Sequence, residues 1–247
     1  MYLGAHLGIA DGLDVAASEA ERIGCESLQI FAKSPRMWKG PPIAAEAAAG
    51  FRRAVVAHHL RATAVHHGYL LNLAHPEDAR RAQSEKAFRD ELDRAELLGA
   101  NALIFHPGAH LGSGSQAGVA RIAAALNAAI AATPTYRVRV LLENSAGQGT
   151  TVGSKFEELA EVLDRVSSPE RAGVTLDTCH LFAAGIDFRT PETYGAMVDH
   201  VRETIGVRQV RAFHLNDAKA ELGSHLDRHE NIGAGKIGRE GFRSLVN

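Results

Sequence analysis

Residues 173–185 read GVTLDTCHLFAAG. A hydrophobic run of strand character ends in Asp177, and Cys179 and His180 follow within three residues. Aliphatic and β-branched residues suit a buried strand, whereas a carboxylate at its end needs a partner or solvent. Taken alone, Asp177 and His180 are the polar end of a core strand. Cys179 reads as structural.

The same arrangement recurs on either side. The apolar runs YLGAHL (2–7), ESLQIF (26–31), ATAVHH (62–67), ALIFHP (102–107), RVRVLLEN (137–144) and VRAFHLND (210–217) alternate with segments of helical spacing at 13–23, 44–59, 76–98, 119–131, 155–166 and 191–205. With GVTLDTCH (173–180) this makes seven β-then-α units in one direction, which predicts a parallel sheet covered by helices. For a 247-residue α/β chain, a closed (β/α)8 TIM barrel leads, as one domain over residues 1–247. A doubly wound open sheet is the competitor, but GAHLGIADG (4–12) does not match its G-x-G-x-x-G turn. A long loop at 217–238 and the start of a helix at 239–247 follow the seventh strand. The eighth strand is therefore expected to be missing from this chain.

Composition narrows the class of protein without choosing a function. Hydrophobic residues make up 45% and charged residues 23%, as in ordinary globular proteins. A net charge of -2, from 27 Lys plus Arg against 29 Asp plus Glu, gives no bulk attraction for nucleic acid, so any such contact must be a local basic patch. Two cysteines make no disulfide framework and suit a reducing compartment. With no leader-like or membrane-spanning stretch, the expectation is a cytoplasmic protein. Histidine is the unusual count, at 13. His58, His59 and His200 fall in helical stretches, whereas His6, His75, His110 and His225 stay open.

The remaining histidines follow a pattern. The third strand ends in His66-His67, the fourth in His106, the fifth in Glu143-Asn144, the sixth in Asp177 with His180, and the seventh in His214 with Asn216-Asp217. In a parallel barrel these ends surround one mouth, where active sites lie. Buried imidazoles and carboxylates need something to pair with, and a divalent cation is the simplest solution. Mixed nitrogen and oxygen donors suit zinc, with manganese or iron as possible substitutes. In the loop that follows, Asp227, Arg228 and His229 form D-x-H, where residues two apart on an extended segment point the same way. Two or more divalent ions at such a mouth favour phosphodiester hydrolysis, because they activate a water and neutralise the phosphate.

The motifs GAHLG, HHGYLLNLAHP, FHPGAH, LLENSAGQG, LDTCHLFAAG, HLNDAK and DRHENIGAG, in this order over essentially the whole chain, resemble the endonuclease IV family. These are zinc-dependent apurinic/apyrimidinic endonucleases of base-excision repair. The resemblance implies a (β/α)8 barrel with three zinc ions at its carboxyl end. One would be held by His66, His106 and Glu143. The second would share Glu143, the residue expected to be catalytic, with Asp177 and His214. The third would be held by His180, Asp227 and His229. His67 is not carried over as a ligand. A further glutamate from the last strand is expected to be absent here, which would weaken the second site. The substrate implied is double-stranded DNA containing abasic sites, cut on the 5′ side to leave a 3′-hydroxyl. The protein is expected to act as a monomer without membrane contact.

The loop FAKSPRMWKGPP (31–42) places Lys33, Arg36, Trp38 and Lys39 together, a mixture that suits phosphate contact and stacking and equally suits a solvated loop. The resemblance puts insertion into the DNA at the abasic site on Arg36, Tyr69 and Leu70. Ser34 and Met37 stand where the family often has amides. Arg228, between two expected ligands, is placed to meet a phosphate. Two alternatives remain. One is a sugar isomerase or epimerase of the same barrel type, which needs one metal and about four ligands. The other is a barrel that binds abasic DNA without cutting it.

Overall fold

The computed structural model describes residues 1–246. Seven strands, β1 (Gly4–Leu7), β2 (Ser27–Ile30), β3 (Ala62–His66), β4 (Ala102–Phe105), β5 (Arg139–Glu143), β6 (Ala172–Asp177) and β7 (Val210–His214), form one parallel sheet in sequential order. Sequential order is barrel topology; a doubly wound sheet would reverse direction at a switch point. The sheet curls until His214, ending β7, reaches Gln29 of β2 at 2.9 Å. Among the described residues no strand pairs with both β7 and β1. Leu3 beside β1 and Phe213 of β7 are correspondingly exposed.

The helices α1 (Leu13–Arg22), α2 (Ala45–Ala57), α3 (Asp78–Leu97), α4 (Ser115–Ala131), α5 (Phe156–Asp164) and α7 (Pro191–Glu203) cover the outside. Most of the core lies between them and the strands, built on residues such as Val65, Leu103, Leu142 and Val174. The barrel interior holds a separate small cluster of Ala102, Ile104 and Leu141, flanked by Ala64 and Ala212. Inward positions recur every second residue, so the next inward residues up the strands are His66, His106, Glu143 and His214. Apolar residues, three of them alanine, fill the narrow interior, and polar ones close its upper end.

Several segments differ from the sequence-based expectation, among them α4, which starts at Ser115 and not at 119. The run 173–180 is a strand only to Asp177, after which Thr178–Ala183 form the short helix α6. Cys179 therefore lies on a helix, and strand alternation does not govern its direction. The loop after β7 contains a small antiparallel ladder in which β8 (Asp217–Ala218) pairs with β9 (His229–Glu230). The last helix, α8 (Gly238–Val246), starts one residue before the expected 239–247, whose position 247 lies outside the described residues.

Candidate metal centre

The turn from β6 into α6 shows how the backbone builds the site. Asp177 is the N-cap of α6, and its Oδ1 accepts the His180 amide at 3.0 Å. Aspartate is favoured at this position because it satisfies an otherwise orphaned N–H. One carboxylate thus fixes the approach of the next expected ligand. Asn216 donates to Asp177 Oδ2 at 2.6 Å, and the Asp177 amide donates to Asn144 Oδ1 at 2.6 Å. Thr178 Oγ1 donates to the Asn216 carbonyl at 2.7 Å, joining the ends of β6 and β7.

The expected ligands come together. Donor atoms of His66, His106 and Glu143 lie within 4.8 Å of one another, as do those of His180, Asp227 and His229. His214 Nδ1 lies 2.7 Å from Glu143 Oε1 and 3.9 Å from Asp177 Oδ2. Glu143, Asp177 and His180 also form a group within 4.8 Å, so the three sets adjoin. Glu143 is central: its Oε2 faces His66 Nε2 at 2.8 Å while its Oε1 faces His214.

The outer ring nitrogens show what the inner ones are for. His66 Nδ1 donates to the His67 carbonyl at 2.7 Å, and His180 Nδ1 donates to the Asn144 carbonyl at 2.9 Å. His214 Nε2 donates to Gln29 Oε1 at 2.9 Å. A carbonyl accepts but does not donate, so each neutral ring turns its remaining lone pair inward, toward carboxylate oxygens. Lone pairs facing lone pairs at these distances need a proton or a cation between them. Orientation of metal-binding imidazoles by such outer acceptors is general, and the donor set fits divalent ions.

Without a cation, protons take up the strain. Burial opposes charge on His180, but Asp177, a bond to Asp227 and the nearby Glu143 outweigh it and raise its pKa to about 10. His214 is raised against its own burial by Glu143 and Asp177, and His229 chiefly by its bond to Asp227. Burial opposes ionisation of Glu143, yet His106, His214 and His66 hold it well below the usual carboxylate range. The raised histidines His180, His214 and His229 thus crowd the carboxylates of Glu143, Asp177 and Asp227, an arrangement that resembles a site built for multivalent charge.

Cys179 is fully buried, with its Sγ 3.6 Å from the Arg228 carbonyl, and burial with Asp177 raises its pKa to about 12. Its sulfur also falls within 4.8 Å of donor atoms of Asp177 and His229. His67 faces outward against Phe88, its ring 6.2 Å away and near-parallel. Two residues absent from the expected site belong to its support. Gln29 donates to His6 Nδ1 at 3.0 Å while accepting from His214, and the His6 ring lies tilted against Phe31, 4.4 Å away. Both are the inward-facing ends of their strands, which was the available signal.

Comparison with known proteins follows the same line. Residues 17–247 match the family described as Xylose isomerase-like TIM barrel. The chain is 43% identical over 244 residues to a protein named Probable endonuclease 4 from Chloroflexus aggregans, covering 99% of this chain and 85% of that one. It superposes on the crystal structure of endonuclease IV from Thermus thermophilus with a TM-score of 0.89 at 33% identity, over 100% of this chain and 88% of that one.

The chain belongs to the endonuclease IV family.

A D-tagatose 3-epimerase-like protein shares the fold alone, with a TM-score of 0.70 at 17% identity over 99% of this chain and 87% of that one. Within the endonuclease IV family member described here, the rim residues are displayed as well. Tyr69 is 62% exposed and Leu70 38%, and Arg36 and Arg228 are both exposed. A cavity of about 430 Å³ is lined by residues that include Tyr69, Leu70, His106, Gly108, His180 and Asp227.

Lys33 corrects the grouping of basic residues in its loop. It is buried, and its ammonium pairs with the equally buried Glu91 of α3, with Asp90 at 3.5 Å. It therefore anchors the loop instead of meeting phosphate. Arg94 of α3 donates to the Gly40 carbonyl at 3.1 Å, holding the far end of the same loop. The Tyr69 amide donates to the Pro35 carbonyl at 3.0 Å, so the loop bearing Arg36 and the loop bearing Tyr69 are joined directly.

Proposed function

We propose that this chain is a zinc-dependent apurinic/apyrimidinic endonuclease that cuts double-stranded DNA 5′ of an abasic site and leaves a 3′-hydroxyl. The observation carrying this reading is the convergence of eight donors, His66, His106, Glu143, Asp177, His180, His214, Asp227 and His229, into three adjoining sets with inward-turned lone pairs. Divalent ions held there would lower the pKa of a shared water, neutralise the phosphate and stabilise the leaving oxygen. Zinc suits the donors best, with manganese or iron as substitutes.

The chain's own residues supply the rest. Glu143 presents one oxygen toward each of the first two sets and is the residue we assign to catalysis. Arg228, beside Asp227 and His229, would meet a backbone phosphate. Tyr69, Leu70 and Arg36 would enter the duplex where pairing is already lost, so that extrusion of the baseless sugar is least costly. The cavity between Tyr69 and His180 would receive that sugar. The protein would act as a cytoplasmic monomer.

A single-metal sugar epimerase shares the fold but needs about half of these donors. Incubating an abasic-site duplex with the protein, with and without chelator, tests the assignment. Metal-dependent incision on the 5′ side is expected. Intact duplex in the presence of a fully loaded protein would contradict it, and one zinc per chain by elemental analysis would favour the epimerase.

A further inference from the structure

Asp217 is fully buried, and its carboxylate is surrounded by backbone amides. Oδ1 accepts from Ala218 at 2.8 Å and Ile237 at 2.9 Å. Oδ2 accepts from Gly233 at 2.9 Å and Gly235 at 3.1 Å. Gly238 N lies 3.3 Å from Oδ1 and 3.2 Å from Oδ2. The neighbouring lysines are engaged elsewhere, Lys219 with Glu230 and Lys236 with Glu221. Amides converging in this way form a nest for one carboxylate, and the carboxylate holds the chain around it.

The chain it holds is the loop carrying the third set of donors. Asp217 and Ala218 pair with Glu230 and His229 across the β8–β9 ladder. The Lys219 amide donates to the Arg228 carbonyl at 2.9 Å, and the Lys236 amide to the Ala218 carbonyl at 2.7 Å. Segment 217–219 thus lies between the strand bearing His229 and the returning segment 233–238. Apart from the Ala218 amide beside it, the carboxylate binds the returning segment, beginning four residues after His229. It closes the loop whose other side presents Asp227 and His229, 3.0 Å apart, to His180. Gly235 has no room for a side chain: a Cβ would stand 2.5 Å from both the Ala218 carbonyl oxygen and Asp217 Oδ1.

We infer that Asp217 is a positioning residue whose buried carboxylate shapes the 217–238 loop so that Asp227 and His229 meet His180 around one metal ion, while the first set, His66, His106 and Glu143, does not depend on it. The inference rests on the metal reading above.

The test compares wild type with Asp217→Asn, which keeps the shape but replaces one acceptor with a donor facing amides. Zinc-loaded proteins are titrated with a chelator, and bound metal is counted and located by anomalous scattering. The variant is expected to release one equivalent on the order of 10–100-fold more readily than wild type. The anomalous peak among His180, Asp227 and His229 should be lost, and the one among His66, His106 and Glu143 kept. In metal-free protein, amide exchange at Gly233, Gly235, Ile237 and Gly238 should speed up. If Asp217→Asn does not fold, Gly235→Ala, which crowds the nest and keeps the charge, should give the same selective loss. Unchanged release of every equivalent, or equal loss from all sets in a folded variant, would overturn the inference. Wild type that holds no zinc would instead overturn the metal reading itself.

Discussion

Gln29 Oε1 accepts the Nε2–H of His214 at 2.9 Å. The amide is fixed in turn by His6, whose pKa burial and then His66 and His214 lower to about 4, leaving a neutral ring to accept from Gln29 Nε2. This chain of bonds holds the His214 ring with Nδ1 toward Glu143 and Asp177. Gln29→Leu is expected to weaken zinc binding by about 10–100-fold while leaving the fold intact, because outer partners of metal-binding histidines carry effects of that size. Chelator competition measures it; unchanged affinity would show that His214 needs no such support.

The pH dependence of the metal-free protein follows from the raised histidines. His180 contributes stability that is fully present below its ordinary pKa of 6.5 and is lost as pH rises toward about 10. His214 and His229 act in the same direction. Glu143 and Asp227, held low, contribute above their ordinary values of 4.5 and 3.8 and lose that contribution in acid. The denaturation midpoint in chelator should therefore fall between about pH 6 and about pH 9. Zinc binding near pH 7 should release protons, seen as a buffer-dependent heat in calorimetry. A flat midpoint with no proton release would contradict this electrostatic picture.

Removing one partner of the Lys33–Glu91 pair leaves a buried charge uncompensated. Glu91→Ala should lower stability by about 3–5 kcal/mol, measured by denaturant unfolding, whereas the double change Lys33→Met with Glu91→Leu should come close to wild type. A small effect of the single change would mean that Asp90, at 3.5 Å, suffices for Lys33.

Gly68 lies where the two rim loops meet. A Cβ there would stand 2.6 Å from the Pro35 carbonyl oxygen, the acceptor of the Tyr69 amide. Gly68→Ala should displace Arg36 and Tyr69 together and reduce cleavage of abasic duplex by up to about 100-fold, with zinc content unchanged. Loss of zinc alongside activity would show that the rim and the metal centre are not separable.

Arg36 and Arg228 are exposed, and Arg228 donates to the Asp227 carbonyl beside it at 2.7 Å. Replacing either with Ala should lower the slope of log affinity against log salt for duplex DNA by about 1 if it meets one phosphate. An unchanged slope would remove that residue from the DNA contact.

Much of the site was legible because strand periodicity and chemistry coincide. In β3, β5 and β7 the apolar inward residues Ala64, Leu141 and Ala212 are followed two positions later by His66, Glu143 and His214. A charged residue ending an apolar run is conspicuous. Gln29 and His6 occupy equivalent places, but an uncharged amide in ESLQIF and a histidine among glycines carry no such contrast. Lys33 was read as solvent-facing because its partner Glu91 lies 58 positions away, and burial of a lysine is visible only with that partner in view. The α6 turn was hidden because TCHLFA is as apolar as a strand, and the N-cap that starts the helix is itself an expected ligand. The β8–β9 ladder is too short for any periodicity to mark it.

The central claim, three metal sets at one barrel mouth, is tested most directly by an anomalous difference map at the zinc edge from zinc-loaded crystals. Three peaks are predicted, one among His66, His106 and Glu143, one among Glu143, Asp177 and His214, and one among His180, Asp227 and His229. A single peak would contradict the account.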